Sequence, residues 1–466
     1  MLLTNSKKGG IISMVILKMK RKALEDIIYW KDKYNRKPLF VFGARQVGKT
    51  YLVKQLFAEM YFKNSYIYID FKKNEEIREY FSRTVDAGKL IEYLQQKFNR
   101  NINKNVLIIF DEIQECLPAI SSLKYFNQDF PEIPVIATGS MVRIKLKRKS
   151  RGTKHTENFF PVGKVDQLYL WPLNFEEYLI NSNEFLYEAI KKSYIEKQPL
   201  EEASHQLAIN ELYNYLLVGG MPDCVKTYLH TKSLFEARQV AKVLYDNYLS
   251  DMELYQASPE AIIRAKLLFS NIYSELNKEN KNMKFSNLEK GSKYREFTSP
   301  LDWLETASLV IKSKLVKETV SFPLVGDNSS TFRIYMMDSG MFAMQSQIDM
   351  TTFYDNTKRN ELSGIFFENY VATEFISKGI PLFYWKGKND AEFEFLIMSK
   401  NRVVPVDVKK NKGTLNSLEK YKNRNKCDLV IKISKNNYGF DNERKLLTLP
   451  IYMTFLLSDD ISKNNI

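Results

Sequence analysis

Apolar positions along the chain fall into two patterns, and their alternation sets the expected architecture. Unbroken apolar runs at Leu39-Phe40-Val41-Phe42, Val106-Leu107-Ile108-Ile109-Phe110 and Pro134-Val135-Ile136-Ala137 read as strands buried on both faces. A strand covered on one side only would alternate apolar with polar residues. Two more strands are predicted at Tyr66-Ile67-Tyr68-Ile69-Asp70-Phe71 and Leu168-Tyr169-Leu170-Trp171-Pro172-Leu173. Helical periodicity lies between them: Leu52, Leu56 and Phe57 share a face, residues 74–81 and 87–98 form further helices, and another begins at Phe175. Strands alternating with helices predict an α/β fold with a parallel sheet covered on both sides, over residues 19–210.

From residue 261 the pattern changes to helices and a hairpin. Ile263, Leu267, Phe269 and Ile272 mark one helix and Phe285 to Leu288 open a second. Ser299 is expected to cap a third, with Pro300 at its first position. Leu309-Val310-Ile311 and Lys314-Leu315-Val316 then read as a hairpin, so residues 211–330 are expected to hold a helical lid, through Gly219-Gly220-Met221-Pro222, and a winged-helix-like segment. Lys290, Lys293 and Arg295 would face a DNA backbone in such a module, although the same module also serves as a packing spacer. Residues 331–466 predict a small α/β domain: a helix over 366–375, strands at Phe383-Tyr384-Trp385, 391–398 and 403–409, a helix over 415–421 and a strand over 427–433. Residues 1–18 read as a flexible tail, with Met14 and Met19 as alternative starts.

The first apolar run stops at Gly43-Ala44-Arg45-Gln46-Val47-Gly48-Lys49-Thr50, spaced G-x-x-x-x-G-K-S/T. Between a buried strand and a helix, such a loop wraps a phosphate chain with backbone N–H groups and the positive end of the helix dipole. Lys49 would reach the β- and γ-phosphates and the Thr50 hydroxyl would ligate magnesium. At the end of the next central strand Asp111 would hold the magnesium through water, and Glu112 would orient the attacking water. Ser140 follows a third strand as either a γ-phosphate sensor or a simple turn residue. The expected cofactors are ATP and Mg2+. Arg143, Lys145, Lys147, Arg148, Lys149, Arg151 and Lys154 form a basic loop that either contacts phosphate or is solvated.

A second constellation lies near the C-terminus. In Glu392-Phe393-Glu394-Phe395 strand alternation puts the two acids on one face and the two phenylalanines on the other. Asp407 and Lys409 likewise share a face, opposite Val406 and Val408. Antiparallel pairing would bring Glu394, Asp407 and Lys409 together, with Glu368 arriving from the helix. Carboxylates around magnesium beside a lysine suit phosphodiester hydrolysis, and an ordinary charged sheet face has the same spacing.

Charge and composition narrow the partners. A formal net charge of +14 fits a polyanion such as DNA, and equally fits lysine-rich solvated helix faces. No apolar run approaches the roughly 18 residues that span a bilayer, so no membrane contact and a cytoplasmic location are expected. The 3 cysteines and 3 histidines are too scattered for a metal or disulfide pattern. A DNA or protein partner and the oligomeric state stay open.

The loop Gly43 to Thr50, Phe110-Asp111-Glu112-Ile113-Gln114, Thr138-Gly139-Ser140 and Gly219-Gly220-Met221-Pro222 together resemble a group of bacterial and archaeal AAA-type P-loop ATPases. In that group the C-terminal half is a domain of unknown function with a winged helix and a restriction-endonuclease-like end. Phe332-Arg333-Ile334-Tyr335 with Asp338-Ser339-Gly340, Phe367-Glu368-Asn369 and Pro405-Val406-Asp407-Val408-Lys409 are similar to that half, so the resemblance covers nearly the whole chain. It implies ATP binding and hydrolysis in an intracellular prokaryotic protein. Alternatives are a slow nucleotide-gated switch that binds DNA or a protein, and an ATP-regulated DNA nuclease. Three positions depart from the group: Glu394 replaces an aspartate, Asp407 replaces a glutamate, and Lys164 replaces an arginine whose planar fork it lacks.

Overall fold

The computed structural model describes residues 18–140, 160–255, 258–316, 320–327, 330–348, 356–387, 391–409, 416–422, 425 and 427–466. The predicted tail up to residue 17 and the basic loop from Arg143 to Lys154 lie outside the described residues.

The N-terminal sheet is built from β1 (Leu39–Phe42), β2 (Tyr66–Asp70), β3 (Leu107–Asp111), β4 (Val135–Thr138) and β5 (Asp166–Tyr169), in the order β2-β3-β4-β1-β5. Every pairing in it is parallel. The unbroken apolar runs become central strands because both faces are covered. Leu39 and Val41 of β1, with Leu107 and Ile109 of β3, enter one core, while Phe40, Phe42, Ile108 and Phe110 enter the other. The second of these cores is closed by the helices Glu75–Arg83, Ala87–Phe98 and Leu117–Asp129. The first continues through the helices Glu202–Val218, Pro222–Thr231 and Leu234–Tyr255 into the C-terminal half.

The second sheet is mixed. It uses β6 (Val310–Val316), β7 (Phe332–Met336), β8 (Phe383–Lys386), β9 (Glu392–Ser399), β10 (Arg402–Val408), β11 (Val430–Ser434), β12 (Gly439–Asp441) and β13 (Leu446–Pro450). Their order is β12-β13-β11-β10-β9-β8-β6-β7.

Four local expectations change. Residues 309–316 do not form a hairpin: β6 is one strand, paired with β7 on one side and β8 on the other. Val310, Ile311, Leu315 and Val316 are all buried, so this strand gains more inside a sheet than as a projecting wing. The third helix starts at Tyr294 and runs to Thr306 with Pro300 inside it, because Phe297, Leu301 and Leu304 make one continuous buried face that spans the proline. β5 ends at Tyr169, and Leu173 turns away to donate its N–H to Gly220 O at 2.7 Å. Phe393 and Phe395 go to different cores, Phe393 against Trp385 and Tyr421 and Phe395 against Tyr335 and Phe375. An irregularity in the β8–β9 register between Phe383 and Trp385 breaks the simple alternation there.

Candidate functional site

The glycine loop leaves β1 under two steric demands. Gly43 has φ +149°, and a Cβ there would lie 2.2 Å from Leu170 O. Gly48 has φ +92°, a left-handed conformation that disfavours side chains. The loop therefore packs its backbone directly on Leu170, the residue that follows β5. Lys49 is nearly fully buried, and its Nζ donates to Gly43 O at 3.1 Å and Ala44 O at 2.7 Å, folding the ammonium back over the loop. Burial pushes its pKa down to about 8, against the pull of the Glu112 and Asp111 carboxylates.

Asp111 is held by three hydroxyls. Thr50 Oγ1 donates to its Oδ2 at 2.8 Å, Tyr68 OH donates to the same oxygen at 2.7 Å, and the Thr138 hydroxyl donates to Oδ1. Thr50, β2, β3 and β4 thus meet at one carboxylate. Glu112, one residue beyond β3, has φ +51°, and the Gln114 side-chain amide donates to its Oε2. A glutamate in left-handed backbone is uncommon, and this one ends the strand and leads into the short helical turn Ile113–Glu115. Ser140 is buried two residues beyond β4, and neither it nor Lys164, in the turn before β5, lines the cavity described next.

A cavity of about 720 Å³ opens over this loop. Gln46, Gly48, Lys49, Thr50 and Glu112 form its floor, and Pro222, Asp223 and Lys226 of the helix Pro222–Thr231 face it from the lid. Sequence reasoning missed the residues that brace this loop. Arg21 donates through Nη1 to Val47 O and through Nη2 to Trp171 O, both at 2.8 Å, and its Nε pairs with Glu177 at 3.0 Å. Arg45 pairs with Asp251, and Tyr248 OH donates to Arg45 O at 2.6 Å. Arg21 sits between two lysines in sequence and looks like part of a solvated charge run. Nothing local marks it. The residues present fit a magnesium nucleotide: a hydroxyl and a carboxylate 2.8 Å apart lie under a cavity bordered by the cations Arg21, Arg45, Lys49, Lys72 and Lys226.

The C-terminal acids also converge. β9 and β10 pair antiparallel with Phe395 opposite Val406, which brings Glu394 beside Asp407. Lys409 Nζ lies 3.3 Å from Glu394 Oε1 and 2.8 Å from Asp407 Oδ1, and Val408 N–H donates to Glu394 Oε2 at 3.0 Å. Glu368 arrives from the helix Asn356–Ser377. It is joined to this group by Lys281, whose Nζ is 2.5 Å from Glu368 Oε2 and 3.9 Å from both Glu392 and Glu394. Arg333 pairs with Glu368 at 3.2 Å and Glu392 at 2.8 Å, and Tyr335 OH donates to Glu368 at 2.7 Å. Burial, reinforced by the Glu394 carboxylate, raises the pKa of Asp407, while Lys409 and Lys281 overcome burial and hold that of Glu394 low. Lys281 and Arg333 were not foreseen, since they come from a loop and a strand far away in sequence. Among the described residues no three His, Cys, Asp or Glu side chains are grouped to hold a metal ion. Lys290, Lys293 and Arg295 are exposed, as a nucleic-acid face requires and as solvated charges also are.

An all-parallel sheet of this strand order, with a glycine loop leading from β1 into a helix and an Asp-Glu pair ending β3, defines a P-loop nucleoside-triphosphatase fold. Residues 35–179 match the AAA domain family, and residues 209–352 and 363–452 match two families described as domains of unknown function, DUF8612 and DUF4143. The chain thus carries an AAA domain followed by two domains of unknown function. Among solved structures it is similar to the Walker-type ATPase PABY2304 of Pyrococcus abyssi, at 16% identity and a TM-score of 0.42, covering 70% of this chain and 96% of that one. It is also similar to PH0952 of Pyrococcus horikoshii, a signal transduction ATPase with numerous domains and a tetratricopeptide repeat sensor. There the identity is 14% and the TM-score 0.27, with 77% of this chain and 47% of that one covered. No curated protein matches the chain. Among the described residues no helix is long and apolar enough to cross a membrane.

Proposed function

We propose that this chain is a magnesium-dependent ATPase. The observation that carries the reading is the meeting of Lys49, Thr50 and Glu112 at the floor of one cavity bordered by cations, with Asp111 hydrogen-bonded beneath it to Thr50. Lys49 exchanges its two backbone carbonyl partners for phosphate oxygens, and Glu112 orients water toward the γ-phosphate. Thr50 and Asp111 would hold a magnesium ion, which would supply charge neutralisation. In a fluorescent-nucleotide titration Lys49→Ala is expected to lose binding, and Glu112→Gln is expected to bind ATP while phosphate release falls by about 100-fold or more. Binding by Lys49→Ala equal to that of the parent overturns the assignment.

A second reading concerns the C-terminal half, which would contact DNA or a protein through its exposed basic residues or cut DNA with Glu368, Glu394, Asp407 and Lys409. The convergence of these four residues favours a common site, and the pairing of Glu368 with Lys281 and Arg333 and of Glu394 and Asp407 with Lys409 favours a salt-bridged anchor over a nuclease. Supercoiled DNA incubated with the protein and magnesium is expected to stay intact. Nicking that disappears in Asp407→Ala and Lys409→Ala would install a nuclease instead.

A further inference from the structure

Two motifs singled out in the sequence, Gly219-Gly220-Met221-Pro222 and Asp338-Ser339-Gly340, have no part in the chemistry above, yet they touch each other. Asp338 is buried between the two halves of the molecule, and its carboxylate faces backbone donors. Oδ2 accepts from Gly220 N–H at 2.6 Å and Oδ1 from Met341 N–H at 2.9 Å, while Met221 and Gly340 N–H groups converge on the same carboxylate. Fit is as close as the hydrogen bonding. A Cβ on Gly219 would lie 2.4 Å from Asp338 Oδ1, and a Cβ on Gly340 would lie 2.5 Å from Val218 O. Gly219 also has φ +77°, so this turn takes a left-handed residue in the one place where a side chain would strike Asp338.

What the clasp holds is the start of the lid helix. Gly220 accepts from Leu173 N–H, and both Leu173 and the next residues after the turn, Pro222 and Asp223, line the nucleotide cavity. We propose that Asp338 is a positioning residue for nucleotide binding: from the C-terminal half it pins the Gly219-Gly220 turn and so sets the helix Pro222–Thr231 against the P-loop. The proposal rests on the reading of that cavity as the ATP site. A buried carboxylate that accepts from the Gly220 and Met341 N–H groups on its two oxygens has little side-chain slack, so movement of the lid helix is passed to β7 and the helix Ser339–Gln345 on either side of Asp338. Coupling of this kind is reciprocal, and nucleotide binding must stiffen the clasp as the clasp stiffens the site.

Three measurements test it. In Asp338→Asn one carboxylate acceptor becomes an amide donor that faces backbone N–H groups, and Gly340→Ala pushes the same contact apart from the C-terminal side, its Cβ striking Val218 O and Gly219 Cα while the lid's own sequence stays unchanged. Both are expected to raise the KM for ATP about fivefold or more with kcat within about twofold, because the lid binds ground and transition states alike. A merely structural aspartate would lower the melting temperature and leave KM unchanged. Hydrogen exchange of the parent protein, with and without ATP and beside Lys49→Ala, needs no variant of the clasp to fold. Protection of residues 336–341 together with 43–50 supports the proposal. Protection of 43–50 alone, or an unchanged KM in folded Asp338→Asn and Gly340→Ala, overturns it. If 43–50 stay unprotected, the ATP reading falls and takes this proposal with it.

Discussion

A single side chain can join parts of the molecule that its sequence neighbours say nothing about. Arg21 is the clearest instance: its planar fork reaches the P-loop carbonyl of Val47, the carbonyl of Trp171 and the carboxylate of Glu177, and both partners of the ion pair are nearly fully buried. Arg21→Ala would leave Glu177 buried without its guanidinium, which costs about 3–5 kcal/mol for a broken buried pair. The urea midpoint should fall accordingly, and ATP affinity should fall with it because Val47 and Gly48 lose their brace. Arg21→Lys should recover little, since one ammonium cannot serve three acceptors in that geometry. An unchanged urea midpoint in Arg21→Ala would show that the brace contributes nothing. That Lys49, Thr50, Asp111 and Glu112 lie together, by contrast, was legible in the sequence because their spacing is dictated by contacts only a few residues long, a loop closing on a helix and a strand ending beside it.

At the level of elements, the parallel sheet was legible because β1, β3 and β4 are buried on both faces, which leaves an unbroken apolar run as their only pattern. Misreadings occurred where a neighbouring element overrode the local signal. Lys312 and Ser313 separate the two apolar runs that read as a hairpin, yet the strand is continuous because β7 and β8 flank it on both sides. Ser299-Pro300 looked like a helix start, and the buried face of Phe297, Leu301 and Leu304 carries the helix through it at the expense of one backbone hydrogen bond. The alternation around Glu394 predicted the convergence of the acids and failed for the phenylalanines, since the register irregularity separates Phe393 from Phe395.

Across the whole molecule, one apolar core runs from Leu39 and Val41 through the lid to Val404, Val406 and Phe455. Glu374 lies inside it. Its Oε1 accepts from Phe175 N–H at 2.9 Å, and burial pushes its pKa up to about 8, against the pull of Lys378. The folded protein therefore holds a proton that the unfolded chain releases near the ordinary glutamate value of 4.5. The stability this proton contributes is fully present below that value and is lost progressively as pH rises to about 8. Glu374→Gln keeps an acceptor for Phe175 N–H and carries no charge at any pH. Its melting temperature should match the parent near about pH 4.5 and exceed it by several degrees at about pH 8.5. A difference that is the same at both ends would show that Glu374 does not titrate in this range.

The sequence by itself determined the parallel α/β sheet, the glycine loop and the Asp111-Glu112 pair, because strand periodicity and phosphate-loop geometry are written in residues adjacent along the chain. It also predicted that Glu394, Asp407 and Lys409 would meet, since strand alternation acts over two residues at a time. Tertiary structure alone decided that Lys281 and Arg333 pair with Glu368 beside that group, that Arg21 braces the P-loop, and that Asp338 reaches Gly220. Each of these is a buried charge or polar group whose cost is met only by a partner distant in sequence, and no local pattern encodes which distant group that will be.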